Sequence, residues 1–547
     1  MLAQASCTRQ APRSTLHVKR ARPDVIPSTI DCTPDVSITV RLFFGAPCPI
    51  ANYAMPPTAA SPNASPNASP NASPNASHFH QPFISALDAA APVNVQDDPK
   101  YYSRYPRSLV TTSNLDNFVT GTGSAIYNSL APLLKSTNHE LILVTCFWAQ
   151  SETLEALNSV LRHLSHKAIH RGTDKIRVRL CFSSLSIFQK LFHDQTVTGQ
   201  SYPAEVWMKK LGLPDPKELC GLNLKVKSVF MLPFSVMHPK FVIIDRKKVT
   251  LPSCNISWEE WFEGAITMTG PVVEQFLKFY FAFWERRDEV PAVTWTDPQS
   301  AANGASDATP TGHPLKSKSD LASSNVPTIF LPSPHRRNPR LNPFAPMENI
   351  LAPPTPLNTF ILTLFAKAER CIRIQTPNVT APPVLSALLS ALSRGIDVQI
   401  VTSERLMILE QLVTAGTTTS RCIATLIKRY RKLANIHLQR SIGDEEAAIS
   451  PLTFGRLHIS YYEPIGGRKS RGKERGEPQQ SHLKMTLVDD EVAVLGSGNL
   501  DRASWFTSQE LGVAFFDKNA VKKIAGAVDE AMQRRSKVLF DSERMRR

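Results

Sequence analysis

The chain has 547 residues, 42% hydrophobic and 20% charged, with a formal net charge of +15. That length exceeds what one core usually serves, so two domains or one large pseudo-repeat is expected, and a small disulfide scaffold or a fully disordered chain is excluded. The positive excess points to an anionic partner: phosphate, nucleic acid or a lipid surface.

Residues 1–100 read as a disordered, low-complexity N-terminal region. The first 23 residues hold five Lys or Arg and no Asp or Glu. That composition fits either a basic disordered tail or a mitochondrial presequence. Val36–Phe44 reads as an isolated strand. The repeat PNASPNASPNASPNAS (Pro62–Ser77) has no large side chain and cannot build a core. Its sequons at Asn63, Asn67, Asn71 and Asn75 follow no secretory signal and are expected to be unused. The nine cysteines form no CxxC, and Cys146, Cys181 and Cys371 lie in apolar runs. Free buried thiols in a reducing compartment are expected. No apolar run is long enough for a transmembrane helix. The nearest, Val272–Trp284, contains Glu274 and Lys278. Its aromatic end FYFAFW (Phe279–Trp284) has the helical spacing of a core segment, with an interfacial role as the alternative.

Order is expected from residue 101. ELILVTCFW (Glu140–Trp148) reads as a buried strand. A helix follows over Ser151–Leu164, with Ser151 as N-cap, and KIRVRLCF (Lys175–Phe182) is the next strand. Such a β-α-β order implies parallel pairing under a helical layer. The order recurs later. CIRIQT (Cys371–Thr376) is a strand, Pro382–Gly395 a helix that opens on two prolines and ends on glycine, and Ile396–Ser403 a strand. Helices are also expected at Val272–Trp284 and at Ala520–Val538. The resulting division is residues 101–295 as one domain, 296–344 as a Ser/Pro-rich linker or insertion, and 345–547 as a second domain. A basic insertion, Glu463–Ser481, carries five basic and three acidic residues and reads either as a solvated loop or as a flexible element for an anionic surface.

Both repeats lead to the same motif, HPKFVIID (His238–Asp245) and HLKMTLVD (His482–Asp489). His and Lys two apart on a strand share a face and can reach one ligand together. Each motif is followed at the same interval by a small polar segment, PSCN (Pro252–Asn255) or GSGN (Gly496–Asn499). A repeated structural hairpin would not need paired His and Lys on one face. Two His, two Lys and two Asn suit a phosphodiester. Lys240, Lys484, Asn255 and Asn499 can neutralise the non-bridging oxygens. One imidazole can attack phosphorus while the other protonates the leaving oxygen. This inventory requires no metal and no cofactor.

The duplicated HxKxxxxD with its SxN segments resembles the phospholipase D superfamily, over roughly residues 120–295 and 355–530. The segments Trp261–Trp284 and Asn499–Asp517 are most similar to cardiolipin synthase-like and transphosphatidylase members. The resemblance implies an α/β fold: two pseudo-twofold-related α/β/α sandwich domains with mixed, largely parallel sheets and one composite active site. It implies His238 and His482 as nucleophile and acid/base, with His238 taken as the nucleophile. Ser253 and Ser497 fill the family's serine position, Glu263 and Glu510 are the candidates to support the imidazoles, and Asp245 and Asp489 hold local structure. Pro252 stands where the family carries glycine, which removes an amide donor from the first loop.

The activity so implied is cleavage of a phospholipid phosphodiester with transfer to water or an alcohol. The site would work at an anionic phospholipid or membrane surface. The chain would be a monomer, since it holds both motifs, intracellular and peripheral to a membrane, with the mitochondrion suggested by the basic N-terminus. A nuclease acting on nucleic acid is the alternative enzyme. A catalytically inactive membrane-associated scaffold is the non-enzymatic one.

Overall fold

The computed structural model describes residues 76–172, 174–184, 196–231, 235–295, 313–335, 351–443 and 454–545. The basic leader, the strand expected at Val36–Phe44 and the sequons lie outside these residues. The first element, helix α1 (Ala76–Asn94), falls inside the region expected to be disordered. Phe79, Phe83 and Leu87 recur every four residues and are buried with Ile84 in the main core. The neighbouring low-complexity repeat hid that periodicity.

The first half continues with β1 (Val110–Gly121), α2 (Gly123–Lys135), β2 (Glu140–Val144), α3 (Glu152–Arg171), β3 (Ile176–Phe182), β4 (Gln200–Tyr202) and β5 (Leu222–Ser228). A short ribbon, β6 (Phe230–Met231) with β7 (Ser235–Val236), leads to β8 (Phe241–Ile244), β9 (Lys248–Pro252), β10 (Glu263–Thr269) and α4 (Val272–Phe283). The helix limits follow local chemistry. Ser151 accepts the Leu154 amide at the N-terminus of α3, and Gly172 ends that helix at φ 60°. In α4 the aromatic run is core, since Phe279, Tyr280, Phe281, Phe283 and Trp284 are all buried.

The second half comprises β11 (Ser317–Ser333), α5 (Pro356–Lys367), β12 (Cys371–Gln375), α6 (Pro382–Ser393), β13 (Asp397–Thr402), α7 (Ile408–Ala415) and α8 (Thr419–Gly443). It closes with β14 (Leu457–Tyr462), β15 (Met485–Val488), β16 (Val492–Gly496), α9 (Arg502–Phe506), β17 (Glu510–Phe516), α10 (Lys518–Met532) and β18 (Ser536–Asp541). The helix expected to reach Val538 stops at Met532, and the chain then adds an edge strand beside β14.

All these strands except the ribbon belong to one 16-stranded sheet, in the order β18-β14-β13-β12-β15-β16-β17-β11-β1-β10-β9-β8-β2-β3-β5-β4. Reading outward from the middle, β1-β10-β9-β8-β2-β3-β5 mirrors β11-β17-β16-β15-β12-β13-β14. This is a pseudo-twofold repeat whose axis passes between the antiparallel strands β1 and β11. The mixed α/β class is as expected, but the sheet is not largely parallel. Parallel pairing is confined to β2·β3, β3·β5, β12·β13 and β13·β14. The other neighbours are antiparallel, because each HxKxxxxD strand turns straight back through a hairpin instead of crossing over a helix.

The segment expected to be a linker holds β11, the central strand that pairs with β1 on one side and β17 on the other. Its first half is polar, and only Thr328-Ile329-Phe330-Leu331 shows the apolar signal of a buried strand. The second repeat therefore begins at β11 and not near residue 345.

Candidate active site

Both motif strands end in the same turn. Asp245 and Arg246 have φ of 47° and 55°, and Asp489 and Asp490 have 55° and 58°. Residues with short polar side chains tolerate this left-handed region best, because they can bond locally. The Asp245 carboxylate accepts the amides of Asn138, His139 and Glu140 at 2.7–2.9 Å. Asp489 accepts those of Glu369, Arg370 and Cys371 at the same range of distances. Each aspartate therefore closes the start of the neighbouring strand, β2 or β12, at the end of the motif strand away from the histidine.

At the other end of the strands the two halves meet. His238 Nδ1 lies 2.8 Å from Glu510 Oε2, and His482 Nδ1 lies 2.7 Å from Glu263 Oε1. Each histidine is thus held by a carboxylate of the opposite repeat. The imidazole centroids are 6.5 Å apart and nearly perpendicular. An Nδ1–H donated to the carboxylate leaves Nε2 of each ring as the free nitrogen. The His238 side chain keeps 12% exposure against 3% for His482, so His238 is the more accessible imidazole.

Lys240 Nζ donates to the His238 carbonyl at 2.8 Å, and Lys484 Nζ to the His482 carbonyl at 2.7 Å. Both lysines are buried. Burial pushes the Lys484 ammonium down to about 7, with Glu263 opposing and Lys240 adding to the fall. Burial also lowers His482 to about 3, with Glu263 opposing, and it lowers His238, with Glu510 opposing. Burial thus favours the neutral form of these groups, and an anion placed between the rings would favour the protonated form.

Ser253 donates to Glu263 and accepts the Gly264 amide. Ser497 donates to Glu510 at 2.6 Å and accepts the Leu511 amide. The two serines thus fix the carboxylates. Pro252 does not disturb this symmetry. The Ser253 amide reaches the Gly264 carbonyl at 2.8 Å, as the Ser497 amide reaches that of Leu511 at 2.9 Å. The asparagines differ. Asn255 Oδ1 accepts the Phe147 amide at 3.3 Å, whereas Asn499 Nδ2 donates to Asp501 and its buried Oδ1 has no partner among the described residues. Asp501 is raised by burial, opposed by the Ser504 amide and by Asn499.

Several neighbours were not singled out in the sequence. The Trp261 ring lies tilted at 48° to His482 with centroids 4.7 Å apart, Ser504 donates to Glu510 at 2.6 Å, and burial raises the Glu259 carboxyl to about 7. Trp261 and Ser504 lie inside the segments that carried the resemblance, so their position was visible, though their contacts were not. The basic insertion Glu463–Ser481 also packs against this side. Gln479 N donates to Glu260 O, Phe262 N donates to Gln480 O, and the Arg471 guanidinium lies 3.9 Å from the Trp258 ring centroid. Its end at Gln479–Gln480 is thus attached to the first half, while residues 466–473 are exposed, as a solvated loop would be.

Residues 361–532, which include the second motif, match the family described as "Cardiolipin synthase, PLD-like domain". No curated protein matches the chain. Among solved structures it is similar to the phosphatidylserine synthase of Haemophilus influenzae Rd KW20, at 16% identity over 80% of this chain and 92% of that one, TM-score 0.44. It is also similar to Nuc, a phospholipase D family member from Salmonella typhimurium, at 18% identity over 33% of this chain and 90% of that one, TM-score 0.22. The polyphosphate kinase of Porphyromonas gingivalis matches at 9% identity over 76% and 47% of the two chains, TM-score 0.38. Among the described residues, no helix is long and apolar enough to cross a membrane.

Proposed function

We propose that this chain is a phospholipid phosphodiesterase or phosphatidyltransferase working through a covalent phosphohistidine. The observation that carries the reading is the exchange of carboxylates: His238 on Glu510 and His482 on Glu263, with the ring centroids 6.5 Å apart. A scaffold needs no such pair, and neither histidine is displaced from the common centre.

In the first step His238 Nε2 forms a bond to phosphorus, and the bond from phosphorus to the leaving alcohol oxygen breaks. His482, protonated once the anionic diester lies against it, gives its Nε2 proton to that oxygen. In the second step neutral His482 takes a proton from water or an acceptor alcohol. The acceptor oxygen attacks phosphorus, and the phosphorus–nitrogen bond breaks to restore His238. Glu510 and Glu263 hold the tautomers and stabilise the transient imidazolium charges. Lys240 and Lys484 offset charge on the non-bridging oxygens. Asn255 leaves its amide NH2 for the same oxygens, while Asn499 must give up Asp501 to do so. The acceptors are water, glycerol or a second phosphatidylglycerol, and the partner is an anionic phospholipid surface.

The test is turnover of labelled phosphatidylglycerol vesicles with and without glycerol, beside His238→Ala and His482→Ala, with products resolved by mass spectrometry. Cardiolipin or an exchanged phosphatidyl alcohol, lost in both variants, establishes transfer. Phosphatidic acid alone establishes hydrolysis. No lipid turnover, with cleavage of DNA or RNA that depends on both histidines, replaces this reading with a nuclease.

A further inference from the structure

Helix α7 (Ile408–Ala415) is inside out. Its buried positions are Gln411 and Ala415, while Ile408, Leu409, Leu412 and Val413 are exposed, Leu409 at 77% and Val413 at 48%. Met407, just before it, is exposed as well. A helix on a globular surface normally shows the opposite order. The reason for the inversion lies in Gln411. Its Nε2 donates to Asn378 Oδ1 and Leu406 O, and its Oε1 accepts the amide and hydroxyl of Thr419. Polar clamping, not apolar burial, holds α7 on the protein. The apolar face is thus left outward although its exposure to water is unfavourable.

The surroundings indicate what covers it. Helix α8 starts at Thr419, the residue that Gln411 grips, and carries Lys428, Arg429 and Lys432 exposed beside exposed Leu433 and Ile436. Apolar side chains interleaved with lysine and arginine are the composition of an element lying in an anionic bilayer interface. The one acidic residue within α7 is Glu410. The element is also joined to the catalytic loop. Val379 N donates to Thr419 Oγ1, and Thr380 N and Ala381 N donate to the carbonyl of Leu500, the residue after Asn499. Helix α7 further packs on α9, which begins at Arg502.

We infer that the outward face of α7, with the basic turns of α8, is the surface by which this protein sits in an anionic phospholipid bilayer. A second copy of the chain is disfavoured by charge, since the basic turns would meet themselves in a symmetric contact. The inference rests on the phospholipid reading for the choice of bilayer over other partners. It goes beyond that reading by naming the surface.

The test is sedimentation of the full chain with vesicles of phosphatidylcholine alone or of equal parts phosphatidylcholine and phosphatidylglycerol. The expected result is binding to the anionic vesicles, lowered about tenfold or more in Leu409→Glu/Val413→Glu. Leu409→Trp/Val413→Trp binds at least as well as the parent, because tryptophan favours the interface. Lys428→Glu/Lys432→Glu loses the preference for anionic vesicles. A short-chain, monodisperse phosphatidylglycerol turned over equally by parent and α7 variants shows that the fold and site survive. Parent binding without any turnover of that soluble substrate sinks the proposed activity and leaves the docking surface standing. The inference is overturned if the parent ignores anionic vesicles or if Leu409→Glu/Val413→Glu binds like the parent. It is equally overturned if sedimentation velocity shows a dimer that this variant disperses.

Discussion

The two histidines share a sequence context but sit in opposite halves of a shared electrostatic circuit. Each carboxylate raises the proton affinity of its imidazole against a larger lowering by burial. Glu263→Gln and Glu510→Gln keep a hydrogen-bond partner and remove that charge. Each is expected to lower kcat by about 10²–10⁴ with KM little changed, as for a triad carboxylate. Steady-state kinetics on phosphatidylglycerol checks this. Lys484 offers a second case. Its ammonium is buried and pulled down to about 7. Lys484→Met is therefore expected to abolish turnover while leaving the melting temperature equal or higher, because it removes a buried charge that the native state carries at a cost. A marked fall in melting temperature would show that the ammonium is needed structurally. The pH profile follows from the same shifts. The proposed mechanism needs one neutral and one protonated imidazole, and both are lowered below the ordinary histidine value of 6.5. As pH rises the doubly neutral form accumulates, and above pH 7 Lys484 also loses its charge. kcat/KM is expected to peak on the acid side of 6.5 and to fall steadily above it; an alkaline optimum would refute this.

Among the elements, the HxKxxxxD hairpins carry the most local information. His, Lys and Asp at fixed spacing put the first two residues at one end of a four-residue strand and the Asp at the other. The Asp then gathers three amides of the adjacent strand. Asp245→Ala and Asp489→Ala orphan these amides and are each expected to cost about 2–5 kcal/mol of stability. Urea melts would register this, and an unchanged midpoint would show that water replaces the carboxylate. The β-α-β runs and the aromatic core of α4 were legible for similar reasons of short-range pattern. Helix α1 and strand β11 were not. Each carries its apolar signal over half its length and is flanked by Ser, Pro, Ala and Asn, which average it away. Helix α7 misleads in the other direction, since its leucines advertise a core position that the fold leaves exposed.

At the scale of the molecule, β1 and β11 join two mirrored half-sheets, and the site lies where the repeats exchange glutamates. The chain between the halves need not be continuous for this to hold. A protease site placed within residues 296–312 is expected, after cleavage, to leave fragments that co-elute on gel filtration and keep full activity. Separation of the fragments or loss of turnover would show that the β1·β11 ladder does not suffice. The sequence by itself offered the candidate His, Lys, Ser and Asn residues, because the HxK and SxN patterns act within one hairpin and so appear as spacing. It also determined the repeat and the mixed α/β class. Only the tertiary structure decided that His238 answers to Glu510 and His482 to Glu263. It alone made the presumed linker the central strand and turned the apolar face of α7 outward. Those facts depend on contacts between residues far apart in the chain, and side-chain pairing across a twofold axis leaves no periodicity in sequence from which it could be read.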